Sequence, residues 1–483
     1  MRKTVIVGIV VLAVVLAACR PAATVPAPPP TPTAAGGGEA TVAPMAGDQL
    51  ETELAPFVAA ELGIRGVAPA EWVEAKPGHF MPAVRADWDT RLVHEFFPGM
   101  TLRELVESLL LPVLKVEEWP SPVSGHPSAR LPWNLYAIEL TQRPLSGSFA
   151  DVALAEINAG TYLVALLAPK NQRDALRQSI FLPALDALEP IPVEDPNRYV
   201  QDSLALFEYD RTAALDIEEV GTESRSGLTV TDFTYASPKG GRVPAMVIVP
   251  DDPGPFAGII LMHGMPGKRQ HMTTLGERYA KAGAVVVAID APHARPEHLK
   301  RTNEPIAYTS QDREEQIQLI VDLRRAVDLL LARPDVDPER LAYVGVSYGG
   351  AMGGLFAGVE DRLQAYVLVV GDGGLVTHET GLDDVFRGLY SLPQEKREAW
   401  LEAMWPIEPI HFVGHAAPAA LLFQSGRQDR LVPLPDAVRY QLAGSEPKDI
   451  MWYDAGHNLG GPSLRDQGLW LQQQIGIDAQ ALQ

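Results

Sequence analysis

Cysteine is almost missing from this chain. One residue in 483, Cys19, excludes an intramolecular disulfide framework and any cysteine-based zinc site. Positive charge is in deficit as well, with 40 Lys and Arg against 61 Asp and Glu and a formal net charge of −21. A surface this acidic repels phosphate backbones, so nucleic acid is not an expected partner. The main apolar run, Val5 to Ala18, falls short of the roughly 20 residues a membrane-spanning helix needs. Before Pro196 no blade-like repeat recurs, which argues against a propeller. His79, His94 and His126 are scattered without the spacing that would pair metal ligands. What remains is an ordinary globular composition, 46% hydrophobic and 21% charged, on a chain long enough for two domains.

The N-terminus reads as an address. Arg2 and Lys3 precede the apolar run, which ends Leu16-Ala17-Ala18-Cys19. That string resembles a bacterial lipobox, so residues 1–18 are expected to be a lipoprotein signal peptide. On that resemblance Cys19 becomes a lipidated N-terminus, and the protein is exported and held on the outer face of a bacterial membrane. Residues 19–49 (RPAATVPAPPPTPTAAGGG and onward) carry almost no large apolar side chain and are expected to form a tether.

Two blocks follow. Residues 50–190 read as a small α+β domain, with helical spacing over Thr101–Leu114 and Asn171–Leu188 and β-type patterning over Trp133–Leu140 and Ala150–Leu167. Its stretch FADVALAEINAGTYLVALLAPKNQRDALRQSIFLPAL is similar to PsbP-like domains of exported bacterial proteins. It holds no catalytic motif and is read as a binding or spacer domain. From residue 196 to 483, buried-type strands alternate with amphipathic helices. The strands are MVIVP (246–250), GIILMHG (258–264), AVVVAID (284–290), LAYVGVS (341–347), AYVLVV (365–370), AALLFQS (419–425) and DIMWYD (449–454). That alternation predicts a doubly wound, mostly parallel sheet, with function on loops at the carboxyl ends of its strands.

Every candidate for chemistry falls on such a loop. Gly345-Val346-Ser347-Tyr348-Gly349 sits between the strand LAYVGV and a small-residue helix start. A sharp strand-to-helix turn presenting a serine needs glycines such as Gly345 and Gly349, because Cβ atoms would crowd it. A serine hydroxyl needs a base, and the base needs an anion to fix its tautomer. His457 follows the last strand and Asp429 the one before, giving the chain order Ser, Asp, His. Asp372, after AYVLVV, is a rival acid, whereas Asp454 lies too near His457 in sequence to orient it. His411 and His415 are four apart but bracketed by Pro409 and Pro418, so a metal site is not expected there. His271, His293 and His298 are taken as surface residues, with His293 also a candidate to line the pocket.

These motifs, HGMPG (263–267), GVSYGG (345–350), SGRQDRLVP (425–433) and AGHN (455–458), resemble the α/β-hydrolase superfamily. The resemblance is to the group holding dienelactone hydrolases, acetyl xylan esterases and prolyl-oligopeptidase-type peptidases. It implies a Ser347–His457–Asp429 triad and an oxyanion hole from the backbone N–H groups of Met265 and Tyr348. His263 and Gly264 would then be structural parts of the turn. The implied enzyme is a serine hydrolase using no metal or organic cofactor, acting on a small ester or a short peptide. Ester hydrolysis is the first expectation, a prolyl-oligopeptidase-like peptidase the second, and a non-catalytic binding lipoprotein the third. Residues 371–415 form an insertion rich in aromatic side chains, read as a small packed unit or a cap over Ser347.

Overall fold

The computed structural model describes residues 52–82, 90–114, 116–128, 130–141, 147–192, 197–379, 389 and 392–482. The signal-peptide, Cys19 and tether expectations, with Phe386 and Tyr390 of the insertion, lie outside them. Among the described residues no helix is long and apolar enough to cross a membrane.

The N-terminal part is β-rich. It contains β1 (Leu54–Ala59), β2 (Ile64–Pro69), β3 (Trp72–Lys76), β4 (His79–Pro82), β5 (Arg91–Pro98), β6 (Ser124–Pro127), β7 (Pro132–Leu140), β8 (Ser148–Ile157), β9 (Gly160–Pro169) and β10 (Glu189–Pro190). Seven of these form an antiparallel sheet in the order β3-β4-β5-β9-β8-β7-β6. The remaining three form a small sheet, β1-β2-β10. The apolar stretch 150–167 is two strands, because Gly160 at φ 141° lets β8 turn straight back into β9. Helical turns over 102–114 cover one face of the larger sheet, and those over 173–187 cover the other.

The C-terminal part is a nine-stranded sheet. Its strands are β11 (Glu218–Arg225), β12 (Leu228–Ala236), β13 (Arg242–Pro250), β14 (Phe256–Met262), β15 (Ala284–Ile289), β16 (Val336–Val346), β17 (Ala365–Val369), β18 (Ala420–Gly426) and β19 (Lys448–Tyr453). The spatial order is β11-β12-β13-β15-β14-β16-β17-β18-β19, antiparallel up to the β13–β15 pair and parallel from β15 onward. Strand β11 escapes the apolar-run reading because it is exposed along its whole length, and β12 because its buried Leu228, Val230, Phe233 and Tyr235 are separated by polar residues rather than forming a run. Strands β14 and β15 are buried at every position, as continuous Val, Ile, Leu and Ala runs require when both faces are covered.

Helices Thr273–Lys281 and Gly460–Ile475 cover one face through Tyr279, Trp470 and Leu471. Helices Ser310–Leu331 and Tyr348–Val359 cover the other through Leu319, Leu323, Leu355 and Phe356. Ser310–Leu331 starts where the sequence dictates, with Thr309 and Asp312 forming a reciprocal capping box. Within the insertion, Trp400, Met404, Ile407 and Phe412 are buried in the same core as these helices. That part of 371–415 is therefore continuous with the main fold.

Candidate active site

Parallel pairing aligns the strand ends. Met262 on β14 lies opposite Gly345 on β16, so the turn after β14 comes out beside the turn after β16. Two strands further on, Gly426 on β18 lies opposite Tyr453 on β19, and the loops bearing Asp429 and His457 leave the sheet side by side. Chain order thereby becomes spatial adjacency along one edge of carboxyl ends.

Ser347 occupies the turn between β16 and helix Tyr348–Val359 at φ 57°, ψ −116°, a backbone conformation that L residues adopt only under constraint. Its own N–H donates to the Val369 carbonyl at 2.8 Å, which pins the turn to β17. Space around it is exhausted. A Cβ at Gly345 would lie 2.1 Å from the Gly349 carbonyl oxygen, and one at Gly349 would lie 2.5 Å from that of Met262. Both glycines are thus demanded by close backbone approach.

His457 Nε2 is 2.9 Å from Ser347 Oγ, and His457 Nδ1 is 2.8 Å from Asp429 Oδ2. The Asp429 side chain is 3% exposed. Its other oxygen accepts the backbone N–H groups of Leu431 and Val432 at 2.9 and 3.1 Å, so the carboxylate is oriented by its own turn. This arrangement can withdraw the Ser347 proton through Nε2 while Asp429 fixes the imidazole tautomer.

The turn after β14 is braced by His263. Its Nδ1 lies 2.8 Å from the Gly264 carbonyl, and its Nε2 accepts the Ala291 N–H at 3.2 Å. A ring that donates on one side and accepts on the other is neutral, in keeping with burial that pushes its pKa down. A Cβ at Gly264 would stand 3.1 Å from Ser347 Cβ, so this turn presses directly on the serine. Met265 lines the cavity in front of Ser347. Tyr348 begins a helix, and its N–H has no partner within that helix. The Tyr348 amide adjoins the serine at the helix N-terminus, which favours negative charge.

The cavity has a volume of about 640 Å³. The 302–308 segment forms one wall, Asp372 to Glu379 another, and Val432 from the Asp429 turn a third. Two pairs in these walls escape sequence reasoning. His378 Nδ1 meets Asp372 Oδ2 at 2.9 Å, and Tyr308 Oη donates to Glu379 at 2.7 Å. Of these four residues the sequence marked Asp372, as a rival acid after a strand, and Tyr308, which directly precedes a capping box, while nothing local marked His378 or Glu379. The insertion therefore does border the Ser347 cavity, through its first nine residues.

The other histidines and acids lie elsewhere. Asp372 holds His378 rather than His457, and Asp454 accepts from Gln428. His411 is stacked on Tyr199 and edge-on to Trp405, whereas His415 is exposed, so the two do not converge. His126 pairs with Asp186 at 2.8 Å. His271 is exposed, but the surface reading of His293 and His298 is wrong. His298 is buried against Glu315 at 2.8 Å, because helix Ser310–Leu331 folds over it. His293 lies beneath the site, its ring edge-on to His263 and Tyr348, and burial pushes it down to about 3. It supports the floor and does not line the cavity. No group of acids, histidines or cysteines among the described residues is arranged to hold a metal ion.

Residues 243–388 match the model of the dienelactone hydrolase family. Among curated proteins, the chain is 29% identical over 145 residues to a Bacillus subtilis (strain 168) protein named uncharacterized peptidase YuxL, covering 29% of this chain and 22% of that one. It is 23% identical over 167 residues to uncharacterized protein YfhR of Escherichia coli O157:H7, covering 35% and 55%. The chain thus spans well under two thirds of either relative. Similar solved structures include an acetyl xylan esterase from Paenibacillus sp. R4, at 17% identity and TM-score 0.47, covering 58% of this chain and 94% of that one. Another is acetyl xylan esterase 1 from Thermoanaerobacterium sp. JW/SL YS485, at 19% identity and TM-score 0.46, covering 57% and 92%.

Proposed function

We propose, from the match of residues 243–388 to the dienelactone hydrolase family model and the geometry of the site, a serine hydrolase of the α/β-hydrolase kind that cleaves carboxylic esters through an acyl-enzyme. The observation that carries this reading is the unbroken hydrogen-bond chain from Ser347 Oγ through His457 to Asp429 at the mouth of a cavity. His457 Nε2 takes the hydroxyl proton as Ser347 Oγ attacks the acyl carbonyl. The tetrahedral oxyanion is met by the N–H groups of Met265 and Tyr348, each worth roughly 3 kcal/mol in such a hole. His457 then protonates the departing alcohol, and a water activated by the same ring releases the acid.

The decisive experiment compares the chain from residue 49 onward with its S347A twin, on p-nitrophenyl esters of increasing acyl length and on prolyl and basic peptide anilides. Serine-dependent ester cleavage without anilide cleavage is the expected result. Serine-dependent anilide cleavage would favour a peptidase instead, the reading suggested by the name of the Bacillus subtilis relative. Equal rates for the twins on every substrate would leave a binding protein on a hydrolase scaffold.

The protein is further proposed to be exported and held at a membrane through a lipidated Cys19, on the strength of the Leu-Ala-Ala-Cys string after an apolar run. C19S should then move the protein from the membrane to the soluble fraction, and unchanged partition would refute the anchor.

A further inference from the structure

Helix Leu434–Ala443 begins five residues after Asp429 and touches three parts of the molecule. Its Tyr440 hydroxyl bonds the carbonyls of Gly350 and Ala351, at 3.1 and 2.9 Å, in the first turn of the helix that Ser347 heads. Its N-terminus runs directly out of the turn that orients the Asp429 carboxylate. Its outer face meets the N-terminal β-rich part. There Val438 and Leu434 enter an apolar cluster with Phe97, Leu105, Leu109 and Tyr136. The next residue, Arg439, forms an ion pair with Glu95 on β5, and Glu95 also pairs with His79 on β4. Burial lowers the Arg439 pKa to about 10.

The same cluster receives Trp452 of β19, five residues before His457. Over that ring, at 5.5 Å, lies the guanidinium of Arg427, two residues before Asp429. Strand β19 is the edge of the nine-stranded sheet and has only β18 as a neighbour. The base thus leaves the sheet from its edge strand and the acid from the strand beside it, near the margin where local opening is easiest. The N-terminal part grips that margin from outside.

We propose that the N-terminal β-rich part positions Asp429 and His457, holding their loops in register with Ser347 through helix Leu434–Ala443 and Trp452, and that Arg439 is the positioning residue of this contact. The inference rests on the triad reading above. A spacer hinged away from the catalytic domain would not bury Val438 or share an ion pair with it.

The test uses the full chain with R439M, E95Q, the double variant E95Q/R439M and S347A, assayed on p-nitrophenyl acetate below the melting point of the weakest variant. R439M leaves the buried Glu95 with only His79 as a partner, and E95Q leaves the half-buried Arg439 guanidinium without its carboxylate, whereas the double change removes both halves of the pair. R439M and E95Q should lower kcat by about 10- to 100-fold with KM changed less than about twofold, and the double variant should recover most of the loss. The pH profile of kcat should shift in the single variants, because a displaced Asp429 no longer holds the His457 ring. Amide exchange over 427–433 should speed up in them as well. Wild-type kcat, profile and exchange in folded R439M or E95Q would overturn the inference, as would a fall in melting temperature alone. Should R439M fail to fold, the near-isosteric E95Q carries the same comparison. Hydrolysis that survives S347A would overturn the nucleophile reading instead, and the exchange rates, which need no turnover, would still decide whether the N-terminal part holds the loop.

Discussion

Asp429 grips His457 with one carboxylate oxygen at 2.8 Å and its own turn with the other, so the ring is oriented by an anion that is itself fixed by backbone. Replacing that oxygen by an amide would present an N–H to Nδ1 and favour the wrong tautomer. D429N should therefore lose about 10³- to 10⁴-fold in kcat. D372N removes a partner of His378 instead and should lose far less. Steady-state kinetics of both variants check the ranking, and the reverse order would move the acid to Asp372.

Ser347 sits in a conformation that its surroundings impose. S347A keeps the backbone and removes only Oγ, so kcat should fall about 10⁶-fold, leaving only what the oxyanion hole and binding contribute. The thermal midpoint should stay close to that of the parent. Substantial turnover by purified S347A would exclude Ser347 as nucleophile.

Two glycines near the serine should behave differently when given a methyl. At Gly264 the added Cβ would lie 3.1 Å from Ser347 Cβ, a clash that a few tenths of an ångström relieve. G264A should fold yet lose about 10- to 100-fold in kcat by displacing the serine or the turn beside it. At Gly345 the Cβ would lie 2.1 Å from a backbone oxygen. G345A should cost about 3 kcal/mol or more in stability, because backbone cannot yield as a side chain can. Denaturant melts beside kinetics separate the two effects.

Besides His263, burial also holds His94, His293 and His411 in neutral form. Burial pushes His94 and His293 down to about 3 and His411 to about 4. Unfolding returns each to an ordinary pKa near 6.5. With a depressed folded value, the unfolded chain binds more protons as pH falls, so stability is full above 6.5 and is lost progressively toward 3. Urea midpoints should fall steadily from pH 7 to pH 4. H94F, placed against Phe57 and Phe80, should flatten part of that slope. An unchanged slope in H94F would show that His94 does not contribute.

The sequence by itself determined the parallel strands and the turns at their ends. Continuous Val, Ile and Leu runs such as AVVVAI can be satisfied only with both faces covered, and glycine at positions 345 and 349 announces backbone too crowded for a side chain. Both are local demands, legible within a few residues. It missed β11, whose exposed residues carry no apolar pattern, and it took His298 for a surface residue, since a buried histidine and an exposed one look alike until the covering helix is placed. Only the tertiary structure decided which strand ends adjoin, that His378 and Tyr308 share the Ser347 cavity, and that Val438 and Arg439 meet the N-terminal part. Each of these depends on chain segments far apart in sequence, brought together by sheet order and helix packing, and no local periodicity encodes that.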